Sequence, residues 1–118
     1  MSPEREAERE RRHPYFVAGN LLDRGCAHHD GWFDLLDRTL TAIEVSQPGG
    51  VALVQVKQKL GKLRIYADDC NAASAAAIAA AEAESATVCE VCGSPGTLRA
   101  DQRFATRCGR HRDRRAGV

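Results

Sequence analysis

Four residues near the C-terminal end have the types and the spacing of a metal site. Cys89 and Cys92 form one pair, Cys108 and His111 form a second, and together they give the pattern C-x2-C-x15-C-x2-H. Two pairs at this spacing are typical of a structural zinc site, in which each sulfur lies about 2.3 Å from the ion. Because three thiolates and one imidazole complete a tetrahedral shell, no position is left for an activated water. The pattern therefore predicts Zn²⁺ in a structural role.

The residues around these ligands predict a treble-clef-like zinc finger. Gly93 follows the second cysteine, where a positive φ lets both sulfurs reach one ion, and residues 94–96 then turn the chain. A short hairpin within residues 97–107 is expected next. Cys108 and His111, three residues apart, then share one face at the start of a closing helix. The alternative is a redox Cys-x2-Cys pair, which is disfavoured because the motif does not open a helix after a strand.

The composition indicates one small folded domain with a thin core. The chain has 118 residues and a net charge of +1, and this small charge imbalance argues against disorder. Although 43% of the residues are hydrophobic, nineteen of them are alanine. Leu, Ile, Val and Phe number only 23, close to the level below which chains are suspect as globular domains. A bound metal is a common way to stabilise such a core.

Nothing in the sequence resembles a membrane span or a secretory signal. The longest apolar run, residues 72–81, is nearly all alanine, which is too weakly hydrophobic to enter lipid. Residues 1–13 contain no apolar segment of signal type. We therefore expect a cytoplasmic protein that does not contact membranes. In a reducing compartment, its five cysteines indicate metal binding or catalysis before disulfides.

Three segments are expected, and together they predict a small single domain of the α+β class. Residues 1–13 alternate Glu with Arg and predict a charged, solvated helix or mobile tail. Residues 14–87 predict an α-β-β-α core. Residues 88–118 predict the zinc finger, which ends in an Arg-rich helix.

Two helices are expected within the core. Apolar residues at helical spacing from Trp32 to Ile43 predict the first, with Asp30 as its N-terminal cap. Ten alanines within residues 71–86 predict the second, an Ala-rich helix that begins near Asp69 or Asn71.

Between these helices, residues 51–59 and 62–67 alternate and predict a β-hairpin that turns at Leu60-Gly61. Five apolar residues then face the core: Val54, Val56, Leu63, Ile65 and Ala67. The opposite face, which we call the cationic face, carries Lys57, Lys59, Lys62, Arg64 and Tyr66. In this register Lys59 lies opposite Lys62, and Lys57 lies opposite Arg64. Like charges directly across a ladder are unfavourable, by a few tenths of a kcal/mol per pair.

The charge of this face therefore favours an anionic partner. The alternatives are that Asp34, Asp37 or Glu44 neutralises the cations, or that the face is simply solvated.

The finger is also basic. From residue 97 onward, seven arginines stand against two aspartates, a net charge of +5. In the predicted finger hairpin, Phe104 and Thr106 face inward while Arg103 and Arg107 face outward. Because the planar guanidinium fork suits phosphates and carboxylates, five arginines are assigned to a partner surface: Arg99, Arg103, Arg107, Arg110 and Arg112. The alternative is a solubilising tail that docks on acidic parts of the same chain.

The segments 31–37, 54–66, 81–99 and 108–111 resemble a family of small uncharacterised bacterial and phage proteins. In that family a tryptophan helix, a basic-aromatic hairpin and a Cys-x2-Cys-Gly-x-Pro-Gly…Cys-x2-His finger occur in this order. The resemblance covers residues 26–111 and implies zinc at the four ligands named above, with no established activity. This chain has Phe104-Ala-Thr-Arg107 where family members often have aromatic residues and a Thr-Leu, so a looser finger is expected.

Taken together, these features predict a non-catalytic zinc-binding module. Its cationic surfaces, on the finger (residues 97–115) and on the hairpin (residues 57–66), are expected to bind nucleic acid or an acidic protein surface. The alternative is a phage or mobile-element inhibitor or regulator that binds a host nucleic-acid enzyme by protein–protein contact. An enzyme is not expected, because a treble-clef nuclease needs a histidine on the finger hairpin and residues 93–107 contain none. A small-molecule substrate is not expected either.

Overall fold

The chain forms three α-helices and two antiparallel hairpins within residues 1–16, 28–48, 51–99 and 104–111, which are the residues that the computed structural model describes. The helices are α1 (Pro3–Arg12), α2 (Phe33–Ser46) and α3 (Ala72–Ser85), and short 3₁₀ turns span Pro14–Phe16 and Asp30–Trp32. One hairpin pairs β1 (Ala52–Lys59) with β2 (Lys62–Asp68), and the other pairs β3 (Thr97–Arg99) with β4 (Ala105–Arg107). This arrangement confirms the predicted α+β class. The Arg-rich closing helix was predicted for residues that lie outside the described ones.

The core lies between α2 and the first hairpin. The predicted helical stripe is buried, because Trp32, Leu36, Leu40 and Ile43 are each at most 1% exposed. Burying a side chain of this size contributes about 1.5–3 kcal/mol. The hairpin completes the core with Leu53, Val56, Leu63 and Ile65.

The register of the first hairpin is the predicted one near its turn, but a β-bulge changes it further away. Leu53 pairs with Ala67 while Gln55 pairs with Tyr66, so Val54 is the extra residue. Strict alternation would place Val54 in the core. Because of the bulge, Leu53 takes that core position and is fully buried, whereas Val54 is half-buried. The prediction for Val54 was wrong because a bulge shifts the two-residue period by one.

Side chains of α3 satisfy the outer edge of β2. Ser85 Oγ accepts a hydrogen bond from the Leu63 amide at 2.9 Å, and Glu82 Oε2 accepts one from the Ile65 amide at 3.1 Å. An unpaired strand edge in a protein interior leaves costly unsatisfied donors. The Ala-rich helix therefore does more than support the core, because Glu82 and Ser85 satisfy the outer edge of a two-stranded sheet. Of the two residues predicted to start this helix, Asp69 and Asn71, it is Asn71 that caps it, and its side chain accepts a hydrogen bond from the Ser74 amide.

The N-terminal segment forms a capped helix that packs against α2. Ser2 Oγ accepts a hydrogen bond from the Arg5 amide at 3.2 Å and caps the helix. The guanidinium carbons of Arg5 and Arg12 lie 4.4 and 5.5 Å from the centre of the Phe33 ring, and Arg9 is only 3% exposed. The sequence predicted a solvated helix or tail. The helix is present, but one face of it is covered.

Asp30 does not cap α2, contrary to the prediction. The N-cap residue of α2 is Trp32, and its side chain makes no capping hydrogen bond. The Asp30 carboxylate instead accepts a hydrogen bond from the Ser2 backbone amide at 2.7 Å. Burial acts to raise the pKa of Asp30, but the hydrogen bonds from Ser2 and the positive charges of the α-amino group and Arg5 together outweigh it, and the pKa is lowered. Asp30 thus joins the start of α1 to the start of α2.

None of the helices in the described part of the chain has the length and apolarity needed to cross a membrane.

Candidate metal centre

The structure brings the four predicted ligands together. The sulfurs of Cys89, Cys92 and Cys108 and a ring nitrogen of His111 all lie within 4.8 Å of one another. The Cys92 and Cys108 sulfurs are 3.7 Å apart, and His111 Nδ1 lies 3.2 Å from the Cys108 sulfur and 3.7 Å from the Cys89 sulfur. A tetrahedral Zn²⁺ with ordinary bond lengths separates two sulfurs by about 3.8 Å and a sulfur from a nitrogen by about 3.6 Å. The donor types and their spacing therefore fit a metal ion.

Backbone hydrogen bonds build the turn that carries Cys89 and Cys92. The Cys89 amide donates to Ser94 O at 2.7 Å, and the Gly93 amide donates to Cys89 O at 2.9 Å. Gly93 has φ +81°, the left-handed conformation that the sequence predicted behind the second thiol. The amide of residue 96 donates a hydrogen bond to Thr87 O at 2.9 Å, which fixes the end of this turn. These bonds hold both thiols on one side of the turn.

The two thiols differ in how readily they ionise. The side-chain hydrogen bond from Ser94 lowers the pKa of Cys92 to about 6. Burial raises the pKa of Cys89. Because the thiolate is the form that binds a metal, the exposed Cys92 is the better prepared of these two thiols to act as a ligand.

The second ligand pair lies just after β4. His111 and Cys108 belong to one turn, in which the His111 amide donates to Cys108 O at 3.1 Å. This i, i+3 contact places both side chains on the same side, as predicted.

A buried ion pair lies directly behind the ligands. Glu90 follows Cys89, Arg107 precedes Cys108, and Arg107 Nη2 lies 3.4 Å from Glu90 Oε1. Burial raises the pKa of Glu90, although the guanidinium of Arg107 acts in the opposite direction. Among the described residues, no group accepts a hydrogen bond from the guanidinium nitrogens of Arg107. The pair joins the two segments that carry the ligands.

Arg107 therefore does not belong to a partner surface, and its predicted outward orientation was wrong. It is 1% exposed, whereas Phe104, which was predicted to face inward, is 47% exposed. Thr106 is fully buried, as predicted. Sequence reasoning missed Glu90, although an acid beside Cys89 and an arginine beside Cys108 were a visible signal for this pair.

The other finger arginines give a smaller surface than predicted. Arg110 is exposed beside His111, and Arg99 is half-buried. Arg103 and Arg112 lie outside the described residues.

The metal centre is packed against the core. The Trp32 indole Nε1 donates to Val88 O at 2.9 Å, and the Gly31 amide donates to Glu90 O at 2.7 Å. The tip of the first hairpin packs against the finger hairpin, since Thr106 Oγ1 donates to Gly61 O at 2.7 Å and Gln58 Nε2 donates to Phe104 O at 2.9 Å. A metal bound at this cluster would therefore also support the tip of the first hairpin.

The cationic face has the predicted cross-strand pairs. Lys59 lies opposite Lys62, and Lys57 lies opposite Arg64. Arg64 Nη1 lies 3.5 Å from Glu82 Oε1, an acid that sequence reasoning did not consider. Among the described residues, no acidic side chain lies within 4.0 Å of the three lysines.

Two of the acids suspected of neutralising these cations are engaged elsewhere. Asp37 Oδ1 lies 2.7 Å from His13 Nε2, and Glu44 Oε1 lies 2.9 Å from His13 Nδ1. His13 is 3% exposed, so these carboxylates are held on the α1 side of α2. The lysines of the cationic face keep their charge uncompensated within the described residues.

The buried His28 makes stability depend on pH. Burial lowers the pKa of His28 to about 4, and its Nε2 has no hydrogen-bond partner among the described residues. The charged groups that act on it are the α-amino group, Glu6 and Asp30. In the unfolded chain His28 has a pKa of about 6.5, so the unfolded chain takes up the proton at a higher pH than the folded protein does. The folded state therefore loses stability as the pH falls from about 6.5 toward 4.

From pH ~7 to pH ~5 we expect His28 to contribute a loss of about 2 kcal/mol in the free energy of unfolding. Urea denaturation at both pH values measures it, with His28→Asn as the comparison. Between these two pH values, the free energy of unfolding of the variant should fall by about 2 kcal/mol less than that of the parent chain. Equal losses in the two proteins would show that His28 is not the titrating group.

The fold and the site define a small α+β protein with a Cys₃His cluster that could bind a metal. Comparison of the chain with protein-family models, with curated proteins and with solved structures found no match in any of the three. The family resemblance noted in the sequence stays a prediction, and the function is argued from the site.

Proposed function

We propose that this protein is a non-catalytic, zinc-stabilised module that binds nucleic acid through the cationic face of its first hairpin. The observation that supports it best is the pairing of Lys59 with Lys62 and of Lys57 with Arg64 directly across the ladder. Cross-strand pairs of like charge destabilise a hairpin unless an anion lies over them. Exposed Arg110 on the finger adds to the same positive surface charge.

Zinc has a structural role in this proposal. Three thiolates and one imidazole would fill its coordination shell, so the ion would fix the finger and leave no site for substrate. The finger in turn supports the hairpin tip through the hydrogen bond from Thr106 to Gly61. The metal would therefore keep the cationic face in one shape without touching the ligand.

The test is fluorescence anisotropy with labelled DNA and RNA over a range of salt concentrations. The affinity should fall steeply with salt, because each phosphate contact releases counterions. The double variant Lys57→Gln/Lys59→Gln should make the slope of log K against log salt shallower by about 1.5. Its control is Arg11→Gln/Arg38→Gln, which removes the same charge from exposed positions on α1 and α2. Equal slopes for the two double variants would overturn the proposal.

A second candidate is an inhibitor or regulator that binds a protein, and exposed apolar side chains favour it. Leu60 is 58% exposed and Phe104 is 47% exposed, near the contact between the hairpin tip and the finger. Leu60 also has φ +52°, a conformation in which Asn is far more common than Leu. This candidate predicts a one-to-one complex with a protein and no affinity for nucleic acid. Leu60→Asn should weaken that complex while preserving the turn.

A further inference from the structure

The cationic face leads into an apolar groove. The groove lies between α3 and the hairpin, is open to solvent on one side and has a volume of about 560 Å³, within the range of ordinary ligand sites. Two acids, Asp68 and Glu82, are among its lining residues. Its apolar lining comes from Val54, Ile65, Tyr66, Ala75, Ile78 and Ala79.

Tyr66 joins the groove to the cations. It is 41% exposed, it lines the groove, and it is the residue that follows Arg64 on the cationic face. The Lys57 ammonium lies 5.7 Å from the centre of the Tyr66 ring. Residues on one face of a strand are about 6.8 Å apart, so a ligand that extends along the hairpin reaches Tyr66 one step after Arg64.

On the basis of the proposed function, we infer that the ligand is single-stranded nucleic acid and that one of its bases enters this groove against Tyr66. The backbone phosphates lie over Lys57, Lys59 and Lys62. Single-strand binding proteins combine these two features, a row of cations and an aromatic side chain on which a base stacks. A duplex cannot use the groove, because its bases are stacked and paired inside the helix.

The charges of the groove select the base over the phosphate. Asp68 and Glu82 repel an anionic group. Because the Glu82 oxygens already contact the Ile65 amide and the Arg64 guanidinium, Asp68 is the acid that can accept a hydrogen bond from the amino group of a base. The small side chains of Ala75 and Ala79 leave the groove wide enough for a flat ring. Cations outside the groove and acids within it give the strand one orientation across the hairpin.

Fluorescence anisotropy on the full chain tests this inference, with short labelled oligodeoxythymidine, oligodeoxyadenosine and a duplex as probes. Tyr66→Ser should weaken binding of the single strands about tenfold, and Tyr66→Phe should not. Ala79→Leu fills the groove and should weaken binding to a similar extent. Its control is Ala80→Leu, an exposed position on the same helix that does not line the groove. Neither Tyr66→Ser nor Ala79→Leu should change the salt slope, because the lysines stay in place.

The outcomes separate this inference from the proposed function. If single strands bind and Lys57→Gln/Lys59→Gln makes the salt slope shallower, the proposed function stands. The inference then fails if Tyr66→Ser and Ala79→Leu both bind like the parent chain, or if the duplex binds more tightly than either single strand. If no probe binds at all, both fail. Circular dichroism of each variant checks the fold. If Tyr66→Ser is unfolded, the binding affinity of Ala79→Leu alone tests whether a base enters the groove.

Discussion

Cys92→Ser is expected to abolish metal binding and to unfold the finger, with a loss of about 5 kcal/mol in the free energy of unfolding and a fall in Tm of about 20 °C. Cys92 is exposed, so its side chain contributes almost no packing that could explain such a loss. The finger has only two strands of three residues each in its described part, and these are too short to be stable without a metal. A chelator should have the same effect on the parent chain.

Metal content by plasma mass spectrometry and thermal unfolding with and without chelator measure this result. We expect one zinc ion per chain in the parent protein and none in the variant. The control is Cys70→Ser, because Cys70 is a free, half-buried cysteine outside the cluster and should leave the metal in place. Purified parent protein without any bound metal would contradict the prediction. Equal stability of the two serine variants would do so too.

Gly31→Ala is expected to cost about 3 kcal/mol, because the new methyl group has no space. A Cβ at this position would lie 2.3 Å from Cys89 O and 2.4 Å from Glu90 O, both backbone atoms of the turn that carries the ligands. Either that turn moves or the hydrogen bond from the Gly31 amide to Glu90 O is lost. The effect should therefore reach the metal site as well as the core.

Urea denaturation and zinc affinity by competition with a chelator measure both effects. The matched control is Gly109→Ala, since a Cβ at residue 109 meets none of the described residues within 4 Å although it lies between two of the candidate metal ligands. We expect Gly109→Ala to change the stability by less than about 0.5 kcal/mol. Equal stability of the two alanine variants would disprove the close approach of Gly31 to the turn that carries Cys89 and Cys92.

The metal ligands and the register of the first hairpin were readable from the sequence because both depend on short spacings. A thiol pair at i, i+3 reaches one ion only from a tight turn, which explains why Gly93 could be assigned its positive φ. Likewise the turn at Leu60-Gly61 fixes which residues face each other, and it placed Lys57 opposite Arg64.

Residues whose role depends on distant segments could not be assigned in this way. Arg107 was predicted to face outward from strand alternation, which cannot show that Glu90 would meet it from another segment and bury it. Asp30 had the position of a helix cap, but its carboxylate accepts a hydrogen bond from the amide of Ser2, 28 residues earlier in the chain.

The amino-acid sequence alone thus determined the two residue pairs of the candidate metal site, the helical stripe from Trp32 to Ile43 and the pairing of the cationic face, since each depends on residue spacing over a short segment. Only the tertiary structure decided that Val54 is bulged, that Glu82 closes the sheet edge and pairs with Arg64, and that the finger supports the hairpin tip. These features depend on which surfaces meet when segments far apart in the chain pack together. Such contacts cannot be predicted from the spacing of residues within one segment.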